Sequence, residues 1–191
     1  MKYCPWNRPF DSVEEMDAHL IRMWNDVVQE EDTVYFLGDF SMKFRIALQV
    51  LPQLKGTKHL IAGNHDAWFR SNGKSSDEYS SVKELRDADP SIATVSHRDT
   101  ISIGGYTVLL CHFPWFGDKD EHSEEHNAYD DRYSELKPHR AKIHCDFLLH
   151  GHVHNEPHKK IGRKSLDVGF DPWGRMVSTE DIIKVIESQV R

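Results

Sequence analysis

Four times along this chain of 191 residues, a short apolar or β-branched run ends abruptly in groups able to hold a cation. Thr33 to Leu37 runs into Gly38-Asp39, His59 to Ala62 into Gly63-Asn64-His65-Asp66, Tyr106 to Cys111 into His112, and Asp146 to Leu149 into a segment containing Gly151-His152-Val153-His154. Runs of this length and composition read as buried strands. Strand ends that present polar groups together make a site at one rim of a sheet. Helical patterns alternate with the first strands and a hairpin links later ones, an order that agrees in outline with an α/β fold.

The donor atoms narrow the chemistry. Asp39 offers a carboxylate, Asn64 an amide oxygen, and His112, His152 and His154 imidazole nitrogens. Mixed nitrogen and oxygen donors without thiolate suit Mn, Fe, Zn or Ni better than Ca or Mg. Taken singly, Asp39 reads equally as a turn residue and Asn64 as a left-handed turn amide. Their coincidence with His112 and the His152/His154 pair carries the metal reading.

On these blocks the chain resembles the calcineurin-like metallophosphoesterases of the small phage and bacterial type. Their pattern is D-x-H, G-D, G-N-H-D/E, a lone His, then G-H-x-H; four of those five blocks stand between Gly38 and His154. The resemblance implies two packed mixed β-sheets flanked by helices, in a single domain over residues 1–191. It implies hydrolysis of a phosphomonoester or phosphodiester by a metal-activated hydroxide attacking in line between two metals roughly 3.5–4 Å apart. Asp39 would bridge the metals, Asn64, His112 and His152 would complete the second metal's shell, and His154 would reach the first. His65 would stabilise the charged transition state or protonate the leaving oxygen. Asp66 would orient its ring, since a carboxylate fixes an imidazole tautomer and favours the protonated form.

The opening D-x-H block, whose Asp and His hold the first metal in the family, has no match in Met1 to Phe10. Asp17-Ala18-His19 has the letters but not the setting. Ser12-Val13-Glu14-Glu15 is a capping box, and Val13, Met16, Leu20, Trp24, Val27 and Val28 recur at helical spacing. On a helix, residues two apart point roughly 200° apart, whereas on a strand they share a face. Two explanations compete: a start at an internal Met of a longer reading frame, which is preferred because the strand is interior in the family, or true loss of the strand. Loss would leave the first metal with Asp39 and His154 alone, and implies one tightly held metal, a weak neighbour and reduced activity. A catalytically weakened metal-binding or partner-binding relative is the alternative function.

The formal charge of -7 argues against a broad basic surface for duplex nucleic acid, while a small or short phosphorylated substrate remains compatible with metals that reverse the sign locally. Cys4, Cys111 and Cys145 form no C-x-x-C pair and read as free thiols of a cytoplasmic protein. No apolar stretch approaches the ~18 residues of a membrane span. There is no P-loop and no nucleophile elbow.

The remaining pattern predicts helices over Ser12 to Gln29, Phe44 to Leu54 and Val82 to Asp87, with a mobile loop over Ser71 to Ser81. Gly104-Gly105 marks a hairpin between Thr100 to Ile103 and Tyr106 to Cys111. A strand over Lys164 to Val168 and a closing helix over Thr179 to Ser188 follow. The carboxylate-rich stretch Asp118 to Glu135 reads as a charged solvated surface, placed as a loop or short helix over the mouth of the site. There it would disfavour long polyanions. His150 reads as a packed or solvent-facing ring beside the pair, and Trp115 and Phe116 as pocket lining or core.

Overall fold

The computed structural model describes residues 10–66, 68, 75–115, 136–154, 161–162 and 164–190. The chain opens on α1 (Val13–Val27), where Ser12 Oγ accepts the Glu15 N–H at 3.0 Å and the Glu15 carboxylate accepts the Asp11 N–H at 2.8 Å. Its apolar face, with Ile21, Trp24 and the following Val28, packs on Val34, Phe36 and Phe40. Asp17 and His19 both lie on this helix, and His19 packs its ring 5.1 Å from that of Phe10.

Three parallel strands follow in the order β1 (Thr33–Phe36), β2 (Thr57–Ile61), β3 (Ile92–Ser96), joined by α2 (Phe44–Val50) and α3 (Ser75–Ala88). The second helix gives way to a 3₁₀ turn at Leu51–Gln53, short of the expected Leu54, because Pro52 has no N–H for the α-helical bond. Residues 75–81, expected to be part of a mobile loop, are instead the opening turns of α3. That stretch contains neither Gly nor Pro, and the helix it starts is anchored by Leu85, which is fully buried. Strand β3 was not expected from the sequence. Its Ile92-Ala93-Thr94-Val95 run is the signal, masked by its closeness to Pro90.

The second sheet has the order β4-β5-β6-β8-β7, with β4 (Arg98–Ile103), β5 (Tyr106–Cys111), β6 (Phe147–His150), β7 (Ile161–Gly162) and β8 (Ser165–Asp167). Strands β5, β6 and β8 run parallel, and the outer pairs β4–β5 and β7–β8 are antiparallel. Alternation along β5 sends Leu109 and Cys111 into the core shared with α2, α3 and the first sheet. Val108 and Leu110 point the other way, into the core closed by Ile182 and Ile186 of α5 (Thr179–Val190). Burial on both faces explains why these strands read as unbroken apolar runs. A four-residue helix, α4 (Phe170–Trp173), lies between β8 and α5. No helix among the described residues is long and apolar enough to cross a membrane.

Among the described residues β1 has one strand neighbour, β2. A cavity of about 1090 Å³ borders β1, lined by Val34 to Asp39, by Leu20 and Trp24 of α1, and by Ile103 and Leu110 of the second sheet. His112, His152 and His154 line it as well. The donor-bearing strand ends and the side of β1 that has no strand neighbour among the described residues therefore share one space.

Candidate metal centre

Parallel pairing delivers the donors to one rim. Strands β1 and β2 run in the same direction, so Asp39 and Asn64, just beyond their ends, arrive together. The same holds for His112 and His152, just beyond β5 and β6. The backbone turns sharply here: Asp39, His152 and His154 have φ of 58°, 71° and 47°. Left-handed conformations of this kind in residues other than glycine cost on the order of 1 kcal/mol each and collect at functional sites.

Two glycines make the approach possible. A Cβ on Gly38, whose φ is +91°, would collide with Nδ1 of His112 and with the Gly63 backbone. A Cβ on Gly63 would collide with both the amide nitrogen and the carboxylate of Asp39. The G-D and G-N blocks thus need their glycines for contact between the two strand ends, and not only for turning.

The hydrogen-bond pattern tests whether the residues suit a cation. His112 is 1 % exposed, and its Nδ1 lies 2.8 Å from the carbonyl oxygen of Leu37. A carbonyl only accepts, so Nδ1 carries the hydrogen and the neutral ring points the Nε2 lone pair into the site. Facing that nitrogen are Asn64 Oδ1 at 3.0 Å, His152 Nδ1 at 3.1 Å and Asp39 Oδ2 at 3.3 Å. Amide and carboxylate oxygens cannot supply a proton to it. Lone pairs converging in this way repel one another unless a proton on Nε2 or a bound cation lies between them. Donors held about 2.1 Å from one ion lie about 3.0 Å apart at right angles and about 3.4 Å apart at tetrahedral angles; the observed spacings fall in that range. Asp39, His112 and His152 form a cluster of donor atoms within 4.8 Å of one another. The residues fit a divalent metal.

Asp39 is held ready for this role. Its Oδ1 accepts the His65 N–H at 2.8 Å. Burial pushes its carboxyl pKa up, but the hydrogen bond and charge that His112 supplies when Nε2 is protonated, together with the His65 contacts, outweigh that and hold it below the usual carboxylate value. Asp66, 3 % exposed, accepts N–H bonds from Gly63 at 2.8 Å and Asp39 at 2.9 Å through Oδ2, and from Ser41 at 3.1 Å through Oδ1. Burial pushes its carboxyl up to about 6; the backbone bonds from Gly63 and Ser41 work against that, and the neighbouring Asp39 charge reinforces it. The geometry therefore displays Asp66 as the clamp that fixes the Asp39 loop to the β2 end. Orienting the His65 ring, the role the resemblance implies, is a different task.

Of the seven residues singled out from the sequence, Asp39, Asn64, His112 and His152 meet directly. His154 lines the same cavity and hydrogen-bonds Asp171 through Nδ1 at 2.7 Å. His65 joins the cluster through its backbone and presents its side chain to solvent. His150 is a buried ring whose Nδ1 bonds the Gly151 carbonyl at 2.9 Å, and Trp115 belongs to the core. Phe116 and the segment 118–135 lie outside the described residues. Asp167 and Asp171, which also line the cavity, were missed. Nothing in the local sequence marks Asp171 as facing His154, 17 residues earlier.

Comparison with known proteins agrees with this geometry. Residues 16–168 match the family model of the calcineurin-like phosphoesterase superfamily domain. The Gene 66 protein of Mycobacterium phage L5 is 37% identical over 92% of this chain and 83% of its own length. The Gene 66 protein of Mycobacterium phage D29 is 31% identical over 89% of this chain and 82% of its own. A crystal structure of a protein of unknown function from Aquifex aeolicus superposes with a TM-score of 0.63 at 25% identity, covering 93% of this chain and 88% of that one. The motif order, the sheet topology and the family match agree: the chain belongs to the calcineurin-like phosphoesterase superfamily.

Proposed function

We propose that this protein is a metal-dependent phosphoesterase acting on a small or short phosphorylated substrate, a phosphomonoester or phosphodiester. The observation that carries the reading is the convergence of Asp39, Asn64 and His152 donor atoms on Nε2 of His112. Asn64, His112 and His152, with Asp39 beside them, would hold a divalent ion of the Mn, Fe, Zn or Ni type that imidazole and oxygen donors favour. Asp39 and His154 would serve a second one. Divalent ions bound there supply a water nucleophile active near neutral pH and neutralise charge on the phosphoryl oxygens.

The protein's own groups do the rest. Leu37 O fixes the His112 tautomer, His65 N–H holds the Asp39 carboxylate and the Asp66 clamp holds the Asp39 backbone, so the donors need little rearrangement on loading. His65 bonds the Asp39 carboxylate through its backbone N–H and leaves its side chain exposed beside the proposed centre, free to face a leaving oxygen. There it donates a proton or balances the developing charge. The absence of a nucleophilic Ser or Cys motif fits direct attack by water.

Hydrolysis of a generic diester and a generic monoester, with manganese supplied and metal content measured alongside, tests the proposal. His65→Ala should lower turnover far more than metal occupancy, and His112→Ala should lower both. An unchanged rate in His65→Ala would remove its assigned role. A second reading, a binding protein of the same family without turnover, is favoured by one observation: among the described residues, the motif donors for the first metal are Asp39 and His154. Bound metal with negligible hydrolysis, both here and after adding an N-terminal strand that ends in Asp-x-His, would favour it.

A further inference from the structure

His154 differs from the other two histidines of the rim. Its ring is 46% exposed. The carboxylate of Asp171, 10% exposed, meets it with Oδ2 at 2.7 Å from Nδ1 of the ring. A carboxylate oxygen only accepts, so this contact puts the hydrogen on Nδ1 and leaves the lone pair of the neutral ring on Nε2, at the opposite edge.

Asp171 is itself held by a small frame at the end of β8. The Asp167 carboxylate, in a residue 1% exposed, accepts the Gly169 N–H at 2.8 Å and sets the turn out of the strand. The Asp167 carbonyl accepts the Trp173 indole N–H at 2.8 Å, which ties the far end of α4 back to the same residue. Pro172 is buried between them. Both ends of this short helix are therefore fastened to Asp167, and Asp171 rides on the helix at a defined place.

We infer that Asp171 is a positioning residue for His154: it fixes the ring's direction and its Nδ1–H tautomer, so that Nε2 is presented to the cation position bordered by Asp39. The inference rests on the metal reading proposed above. It adds that the His154 half of the centre is organised by the segment Asp167 to Trp173, which carries none of the motif residues. Carboxylate partners of metal-binding imidazoles are worth 10–100-fold in metal affinity where they have been removed.

The test uses two variants and two readouts. Asp171→Ala removes the acceptor; Asp171→Asn keeps an acceptor oxygen of nearly the same shape. In the metal-free protein at pH 8, ¹⁵N-resolved imidazole spectra, with His154 assigned by loss of its signals in His154→Gln, should show the Nδ1–H tautomer. Asp171→Ala should shift it toward the Nε2–H form, and Asp171→Asn should largely retain it. In manganese titrations followed by calorimetry, Asp171→Ala should weaken by about 10–100-fold the same binding step that His154→Gln weakens. Asp171→Asn should recover most of that loss.

A merely structural tether would lower the melting temperature of Asp171→Ala while leaving tautomer and affinity unchanged, and that result overturns the inference. An Nε2–H tautomer in the unmodified protein overturns it as well. If the unmodified protein takes up no manganese, the metal reading fails on its own account, and the tautomer spectra still decide whether Asp171 orients His154.

Discussion

Replacing Gly63 by Ala isolates the contact on which the centre is built. Gly63 does not adopt a positive φ, so the new methyl group carries no backbone penalty of the left-handed kind. Its cost is collision with the Asp39 amide nitrogen and Oδ1. Overpacking of this kind costs about 1–3 kcal/mol. If the carboxylate gives way instead, its bond from the His65 N–H at 2.8 Å is lost, worth about 1.5–3 kcal/mol for a charged acceptor. A total on the order of 3 kcal/mol should divide between two observables. Taken wholly as lost stability, it lowers the melting temperature by about 6–12 °C at this chain length. Taken wholly as displacement of Asp39, it weakens metal binding by about 100-fold. Thermal melts in EDTA and calorimetric titration with manganese measure the two parts. Gly105→Ala is the control: its φ is +87° with nothing within 4 Å of the added methyl group, so it should cost about 1 kcal/mol of stability and no metal affinity. A Gly63→Ala protein with unaltered melting temperature and unaltered affinity would refute the argument.

Three further outcomes follow from other parts of the molecule. Lys58 and Asp89, 2% and 5% exposed, form an ion pair at 3.0 Å under the first sheet; removing one partner, in Asp89→Ala or Lys58→Met, should cost about 3–5 kcal/mol in urea unfolding, and a loss below about 1 kcal/mol would show that the pair is not sealed from water. Burial pushes the Cys111 thiol up to about 11, so at pH 8 it should resist alkylation in the folded protein and react only after unfolding, as seen by mass mapping of modified peptides. The Asp181 carboxyl is held low chiefly by its hydrogen bond to Arg175, at 2.7 Å; because its folded pKa lies below the unfolded value, its stabilising effect is present above about pH 4 and is lost as the pH falls further. Exposure limits the effect to about 1 kcal/mol or less, so Asp181→Asn should unfold more easily than the unmodified protein at pH 7 and no more easily near pH 2.

Local physics explains what was readable in the sequence. The capping box at Ser12 and the helical spacing of Leu20, Trp24 and Val28 located α1 and correctly removed Asp17-Ala18-His19 from the strand motif. Gly104-Gly105 marked a hairpin whose two glycines both take positive φ, the requirement of a tight turn between twisted strands. The four donors that meet were legible because each follows its own strand, and parallel pairing of those strands leaves the chain little freedom about where the ends go. The misses have different causes. Polar residues at the start of α3 carry no periodic apolar signal, and helix there is secured by Leu85 and its packing further along. Asp171 could not be read at all, since its relation to His154 is created by the pairing of β6 with β8 and by the Asp167 frame. The Asp66 clamp was missed for a related reason: a G-N-H-D string puts an acid next to a histidine in the alphabet, while the folded loop turns the carboxylate back onto the amides of Gly63, Asp39 and Ser41.

The most direct test is metal stoichiometry. The protein, stripped with chelator, reloaded with manganese or zinc and passed through a desalting column, should retain at least one ion per chain by elemental analysis. His152→Ala, at a half-buried position whose Nδ1 lies 3.1 Å from His112 Nε2, should retain far less while keeping its far-ultraviolet circular dichroism. Retention of no ion by the unmodified protein, or equal retention by His152→Ala, would contradict the claim that these side chains converge to hold a cation.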